Sequence, residues 1–239
     1  MTRVAFVVGQ YPGTERQRRI DAAMAYASAE VEVGIITVAE TPYVYGLTPA
    51  EIQLVAPAFI EAFRQAEREG YDAVVPLGTL DLGVDGGKSA VDIPVIGPTE
   101  AMLHIGALLG DRLGIIVYHR KLMPFTRAIV RRYGMEPWVV GFRDTGFDLP
   151  DLAANHDAVV ESFVAQARSL IEKDGAEVIL PMGISQCPVH MKPDWLMREL
   201  GVPVVEGIGA PIRLAATLVS LGLAQSRGRW ARSASGKPA

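Results

Sequence analysis

Two α/β lobes related by pseudo-symmetry, each a mainly parallel sheet flanked by helices with a site in the cleft between them, are the architecture this sequence predicts. Three observations carry it. Short β-branched runs alternate with longer stretches of helical period, the mark of βαβ units. The apolar residues of those runs are continuous rather than alternating, as in strands covered on both faces. The chain also echoes itself: Tyr71-Asp72-Ala73-Val74-Val75-Pro76-Leu77-Gly78 is similar to Gly175-Ala176-Glu177-Val178-Ile179-Leu180-Pro181-Met182-Gly183.

Taken in order, the predicted strands are Val4–Val8, Val31–Val38, Ala73–Leu77, Pro94–Gly97, Leu113–Tyr118, Val178–Pro181 and Pro203–Val205. Helices fill the gaps. Arg16–Glu30 comes first. Thr48-Pro49-Ala50-Glu51 then forms a capping box with proline at the first helical position. Behind it Ile52, Val55, Phe59, Phe63 and Ala66 share one face, and Gly70 closes the helix. Glu100–Leu109, Pro124–Tyr133, His156–Lys173, Asp194–Leu200 and Pro211–Gly222 complete the set.

The echo extends past the strands. Asp92-Ile93-Pro94-Val95-Ile96-Gly97 leads to a helix ending Leu108-Leu109-Gly110, and Gly201-Val202-Pro203-Val204-Val205-Glu206-Gly207 leads to one ending Leu221-Gly222. The spacing between copies is far longer than the ~20–50 residues of solenoid repeats. It predicts one lobe from residues 1–97 plus 208–226, a second from 98–207, and a flexible tail over 227–239.

Composition excludes several function classes. The 239 residues hold 23 Lys+Arg against 27 Asp+Glu, a net charge of −4 that offers no field for nucleic-acid phosphates. The basic cluster Arg227, Arg229, Arg232 and Lys237 sits among Ser and Gly and reads as a frayed terminus. A lone Cys187 forms no intrachain disulfide, and the N-terminus runs straight into a strand rather than a signal h-region. No apolar stretch approaches the ~20 residues of a membrane span. These features predict a cytoplasmic chain that binds neither nucleic acid nor membrane.

In open parallel sheets, ligands bind beyond the carboxyl ends of the strands. Gly78 and Gly183 both sit at such ends, where a glycine lets the backbone approach a ligand and nearby helix starts favour an anion. The expected ligand is a small anion, a carboxylate above all.

The pattern resembles the aspartate/glutamate/hydantoin racemase superfamily, which includes arylmalonate decarboxylases and maleate isomerases. The resemblance is carried by Asp72-Ala73-Val74-Val75-Pro76-Leu77-Gly78-Thr79, by Val91-Asp92-Ile93-Pro94-Val95-Ile96-Gly97 with Glu100-Ala101, and by Leu200-Gly201-Val202-Pro203-Val204-Val205. It implies a cofactor-independent enzyme acting on a small carboxylate or cyclic amide, and a homo-oligomer. In that family a strand-end cysteine from each lobe flanks the substrate carbon, one removing the α-proton and the other returning it on the opposite face. Here the first such position falls on Gly78 and the second on Met182 or Gly183. Neither carries a thiol. Arylmalonate decarboxylases carry a Gly-Thr pair at the first position and a tyrosine after the strand matching Leu113–Tyr118, so the resemblance implies Thr79 and Tyr118 as anion-binding donors.

The candidate catalytic residues are Cys187, Asp81, His190 and Tyr118. Cys187 and His190 share a loop stiffened by Pro188 and Pro193, and an imidazolium beside a thiol activates it. Asp81 stands near a helix start and is a candidate base. The expected substrate-binding residues are Gly78, Thr79, Tyr118, Met182, Gly183, Ile184 and Ser185, with Gln10 and Tyr11 from the loop after the first strand. Among Arg16, Arg18 and Arg19, one is a candidate partner for a carboxylate ligand, and Tyr43–Tyr45 a candidate rim. The Cys/His spacing does not match a zinc site, so no metal is expected. Three functions fit: a racemase or isomerase with a non-thiol acid/base set, a decarboxylase or hydrolase using one proton donor or an activated water, and a non-catalytic carboxylate-binding protein.

Overall fold

The computed structural model describes residues 1–11, 13–38, 48–147 and 152–232. Pro12, Tyr43–Tyr45 and Lys237 lie outside them. In chain order the elements begin with β1 (Thr2–Val8), α1 (Gly13–Met24), β2 (Val31–Thr37), α2 (Pro49–Arg68), β3 (Ala73–Pro76) and α3 (Val84–Ala90). There follow α4 (Pro98–Leu109), β4 (Leu113–Val117), α5 (Met123–Arg132) and β5 (Val139–Asp144). The last are α6 (His156–Asp174), β6 (Val178–Pro181), α7 (Pro193–Leu200) and α8 (Gly209–Ser220). Two compact units result: residues 1–77, 81–97 and 211–239 form the first, and 78–80 with 98–210 the second.

Each unit holds a three-stranded parallel sheet flanked by helices, with order β2-β1-β3 in the first and β5-β4-β6 in the second. The central strands are buried along almost their whole length, which is why their sequences are continuously apolar. In the first unit Val55, Phe59, Phe63 and Ala66 of α2 pack on Val74 of β3 and Ala5 and Val7 of β1. The capping box forms as read: Glu51 N–H donates to Thr48 Oγ1 at 3.3 Å, and Thr48 N–H to the Glu51 carboxylate at 3.0 Å. In the second unit Val159, Phe163, Ala167 and Leu170 of α6 cover Ile116 and Ile179.

The internal echo is a repeat of register. Val7 stands opposite Pro76, as Ile116 stands opposite Pro181. One residue on, Leu77 N–H donates to the Val7 carbonyl and Met182 N–H to the Ile116 carbonyl, both at 2.8 Å. Gly78 and Gly183 are therefore counterparts.

Some elements differ from expectation. Pro94–Gly97 and Pro203–Val205 each make a single parallel bridge, Val74 to Val95 and Ile179 to Val204; a proline before each pairing residue lacks the N–H needed to extend it. Strand β5 has no clear sequence signal, because it is an edge strand, half-buried throughout, that contains Gly141 and ends in Arg143-Asp144. Helix α3 contains Gly86 and Gly87, poor helix formers. They are required because Cβ atoms there would run into Ile60 and Phe63.

The basic stretch read as frayed is held at its near end. Arg227 donates to the carbonyls of Lys88 (2.8 Å) and Val91 (2.6 Å) at the C-terminus of α3 and to the Asp92 carboxylate (2.6 Å). Trp230 lies 4.7 Å from Lys88 Nζ. A helix C-terminus leaves carbonyls without intrahelical donors, and a guanidinium satisfies them.

Candidate active site

In the second unit, one short stretch brings three of the expected residues together. The Thr79 hydroxyl donates to the Met182 carbonyl at 3.1 Å. The Thr79 carbonyl in turn accepts from the buried Thr99 hydroxyl at 2.6 Å, and Thr99 Oγ1 also lies 3.6 Å from Met182 Sδ. Gly78 has φ +112°, a conformation natural only to glycine, and the space its Cβ would enter is open.

Gly183 is the opposite case. A Cβ there would lie 2.9 Å from Cδ1 of Tyr118 and 3.3 Å from Oε1 of Gln186. The tyrosine ring fills the place of a side chain at this strand end. Tyr118 is fixed through its backbone: its carbonyl accepts from the Thr145 hydroxyl at 3.0 Å and from Phe147 N–H at 3.1 Å.

Gln186 and Thr145 were not singled out in the sequence. Gln186 has no motif around it, and Thr145 follows the unrecognised β5. Both are buried, and Gln186 Nε2 donates to Thr145 Oγ1. Ser162 anchors the same threonine by donating to its carbonyl at 2.9 Å.

Past Gly183 the chain folds into a short wide turn, Ser185–His190. Gly183 O accepts from Gln186 N–H (2.8 Å) and Cys187 N–H (3.2 Å). The side chains of Met182, Ile184 and Ser185 are buried, and Ile184 packs with Met102 around Gly207.

Cys187 has 0% exposure and belongs to the apolar cluster under α6. Burial pushes its thiol well above its ordinary range; the Glu206 carboxylate pushes the same way, and Lys192 opposes. The loop pairing with His190 was expected to do the reverse and stabilise a thiolate. The His190 ring instead lies 6.3 Å from that of His156, and its carbonyl is 3.3 Å from His156 Nε2. Desolvation and a neighbouring carboxylate both favour the protonated thiol over the thiolate.

Glu206 is a further buried acid without a sequence motif. Its two oxygens accept from Ile208 and Gly209 N–H, both at 2.6 Å, capping the start of α8.

In the first unit, Asp81 is buried and holds φ +49°, the one left-handed non-glycine among the described residues. Such a conformation costs energy and is concentrated at functional sites. Its carboxylate lies against Gly97, where a Cβ would come within 2.5 Å of Oδ2. Gly97 stands two residues past Val95 as Glu206 stands two past Val204, so each unit sets one acid at the same place in its repeat, from different chain positions.

The loop residues of the first unit are committed within it. Gln10 donates to the Val38 carbonyl at 3.0 Å. Arg19, 2% exposed, stacks on Tyr11 at 4.1 Å and pairs with Glu15 at 2.7 Å, so its charge is already balanced. No group of three or more His, Cys, Asp or Glu among the described residues is arranged to hold a metal ion.

Comparison with known proteins decides the family. The description "Asp/Glu/Hydantoin racemase" matches residues 17–215. The chain belongs to the Asp/Glu/hydantoin racemase family. It is 30% identical over 171 residues to a hydantoin racemase of Pseudomonas sp. (strain NS671), covering 72% of this chain and 68% of that protein. The structure of allantoin racemase from Pseudomonas fluorescens is 25% identical with a TM-score of 0.86, covering 100% of both chains. Arylmalonate decarboxylase shares the fold at 17% identity and a TM-score of 0.65, over 95% of this chain and 96% of that one. This racemase family member is thus an isomerase-type enzyme for small substrates. No described helix is long and apolar enough to cross a membrane.

Proposed function

We propose that this enzyme removes and returns the proton on the carbon beside a carbonyl in a small cyclic amide of the hydantoin or allantoin kind, with groups other than thiols as acid and base. The single observation that carries the reading is the Tyr118 ring standing at Gly183, the counterpart of Gly78, in a family chain with no thiol at either strand end. Deprotonation leaves a planar carbanion, so inversion needs two proton-transferring groups. Tyr118 takes one of these roles. Backbone amides near Gly78 and Gly183 stabilise the enolate oxygen as charge develops. The hydantoin and allantoin racemases among its relatives support the substrate class.

The test is incubation of L-5-methylhydantoin with the enzyme in D2O. Deuterium entering C5 together with loss of optical rotation is the expected result. A ring-opened product carrying the elements of one added water would move the assignment to a hydrolase. Absence of both would remove the reading.

A further inference from the structure

We propose that Gln186 is the specificity-determining residue of this site, its side-chain carbonyl accepting a hydrogen bond from a ring N–H of the substrate. The inference rests on the cyclic-amide reading above and names the group that recognises such a ring.

The orientation of the Gln186 amide follows from its neighbours. Thr145 has one hydroxyl proton, which it gives to the Tyr118 carbonyl at 3.0 Å. It must therefore accept from Gln186, and the group facing it is Nε2. Oε1 points the other way, towards the side-chain space of Gly183 and beside the Tyr118 ring. Gln186 is 0% exposed, and Oε1 has no hydrogen-bond partner among the described residues. Leaving a buried acceptor unpaired forfeits its hydration without return, so an orphan held in place by a three-residue network calls for a donor.

The neighbouring polar group has the same bias. The Thr79 hydroxyl spends its proton on the Met182 carbonyl, which leaves it able only to accept. Gln186 Oε1 and Thr79 Oγ1 flank the Met182–Gly183 peptide, one reaching towards each of its residues. Two acceptors suit a ligand rich in N–H donors, whereas a carboxylate, with acceptors only, would be repelled. In this arrangement the Thr79 hydroxyl donates to Met182. Oε1 and the Tyr118 ring both border the side-chain space of Gly183, the place at which a ring N–H would meet this acceptor.

The experiment measures binding of unsubstituted hydantoin, 1-methylhydantoin and 3-methylhydantoin by calorimetry to the wild-type enzyme and to Gln186→Leu and Gln186→Met. The expected wild-type result is hydantoin bound at least tenfold more tightly than one of the two methylated rings. Both variants should lose that preference by weakening hydantoin binding while leaving the disfavoured analogue within about threefold. Thr145→Val, which frees the amide to rotate, should reduce the preference in part. If a variant does not fold, the wild-type enzyme with ring-15N hydantoin serves: a downfield shift of one bound N–H proton is expected. An unchanged preference in the leucine and methionine variants overturns the proposal. So does a wild-type enzyme that binds none of the three rings or all of them alike. Deuterium exchange separates the two claims: Gln186-dependent binding without exchange refutes the proposed reaction alone, and exchange with unaltered KM in Gln186→Leu refutes this inference alone.

Discussion

The ring of Tyr118 occupies the space into which a side chain at residue 183 would project, 2.9 Å from where a Cβ on Gly183 would stand. Gly183→Ala must therefore displace the ring. The expected cost is about 1–3 kcal/mol of stability, as for other overpacked sites. Combining it with Tyr118→Ala should recover part of that loss, because the clash is gone. Urea denaturation of the two single variants and the double variant measures the coupling, and a strictly additive result would contradict the packing.

Gly78 is constrained differently. Its Cβ would meet nothing within 4 Å, but its φ of +112° disfavours any L side chain. Gly78→Ala should cost on the order of 1–2 kcal/mol from the backbone alone. No neighbouring truncation should relieve it, in contrast to Gly183→Ala. Denaturation in the Tyr118→Ala background supplies that comparison.

Cys187 should behave as a packed apolar group. Cys187→Ala is expected to cost about 1 kcal/mol and to leave turnover within a few fold of wild type. A thiol whose pKa is raised by folding stabilises the native state fully below its unfolded value, about 8.5, and loses that contribution as pH rises through the folded value. Stability should thus fall above pH 8.5 more steeply in the wild type than in Cys187→Ala. Equal slopes in denaturant titrations at pH 7.5 and 9.5 would contradict the burial of a neutral thiol.

Asp81→Asn separates charge from conformation. Asparagine tolerates the left-handed region that Asp81 occupies, so the fold should be retained with a small change in thermal midpoint. Loss of a general base, the role the sequence suggests for Asp81, lowers rates by ~10²–10⁴. Deuterium exchange at that reduced rate is expected. An Asp81→Asn enzyme with wild-type exchange would take Asp81 out of the chemistry.

The fold was largely legible because buried parallel strands announce themselves. Continuous runs such as Leu113–Val117 and the repeated Val-Val-Pro and Ile-Leu-Pro strand ends fix both sheets and their shared register. Strand β5 was hidden because an edge needs no apolar continuity, and α3 because Gly86 and Gly87 answer to Phe63 and Ile60 rather than to helix propensity. At the site, Gly78, Thr79, Tyr118 and Gly183 stood out through strand ends and family resemblance. Gln186 and Thr145 did not, since hydrogen bonding across 41 residues leaves no local pattern. For Cys187 the spacing to His190 suggests an activated thiol, whereas burial, which has no local sequence pattern, raises its pKa.

The grip of Arg227 on the end of α3 sets a practical boundary for protein engineering. A reporter or affinity handle joined before that arginine would strip two carbonyls of their cation and leave Lys88 without its Trp230 cover. Fusions to the carboxyl side should begin after Arg232, whose guanidinium also pairs with Asp92.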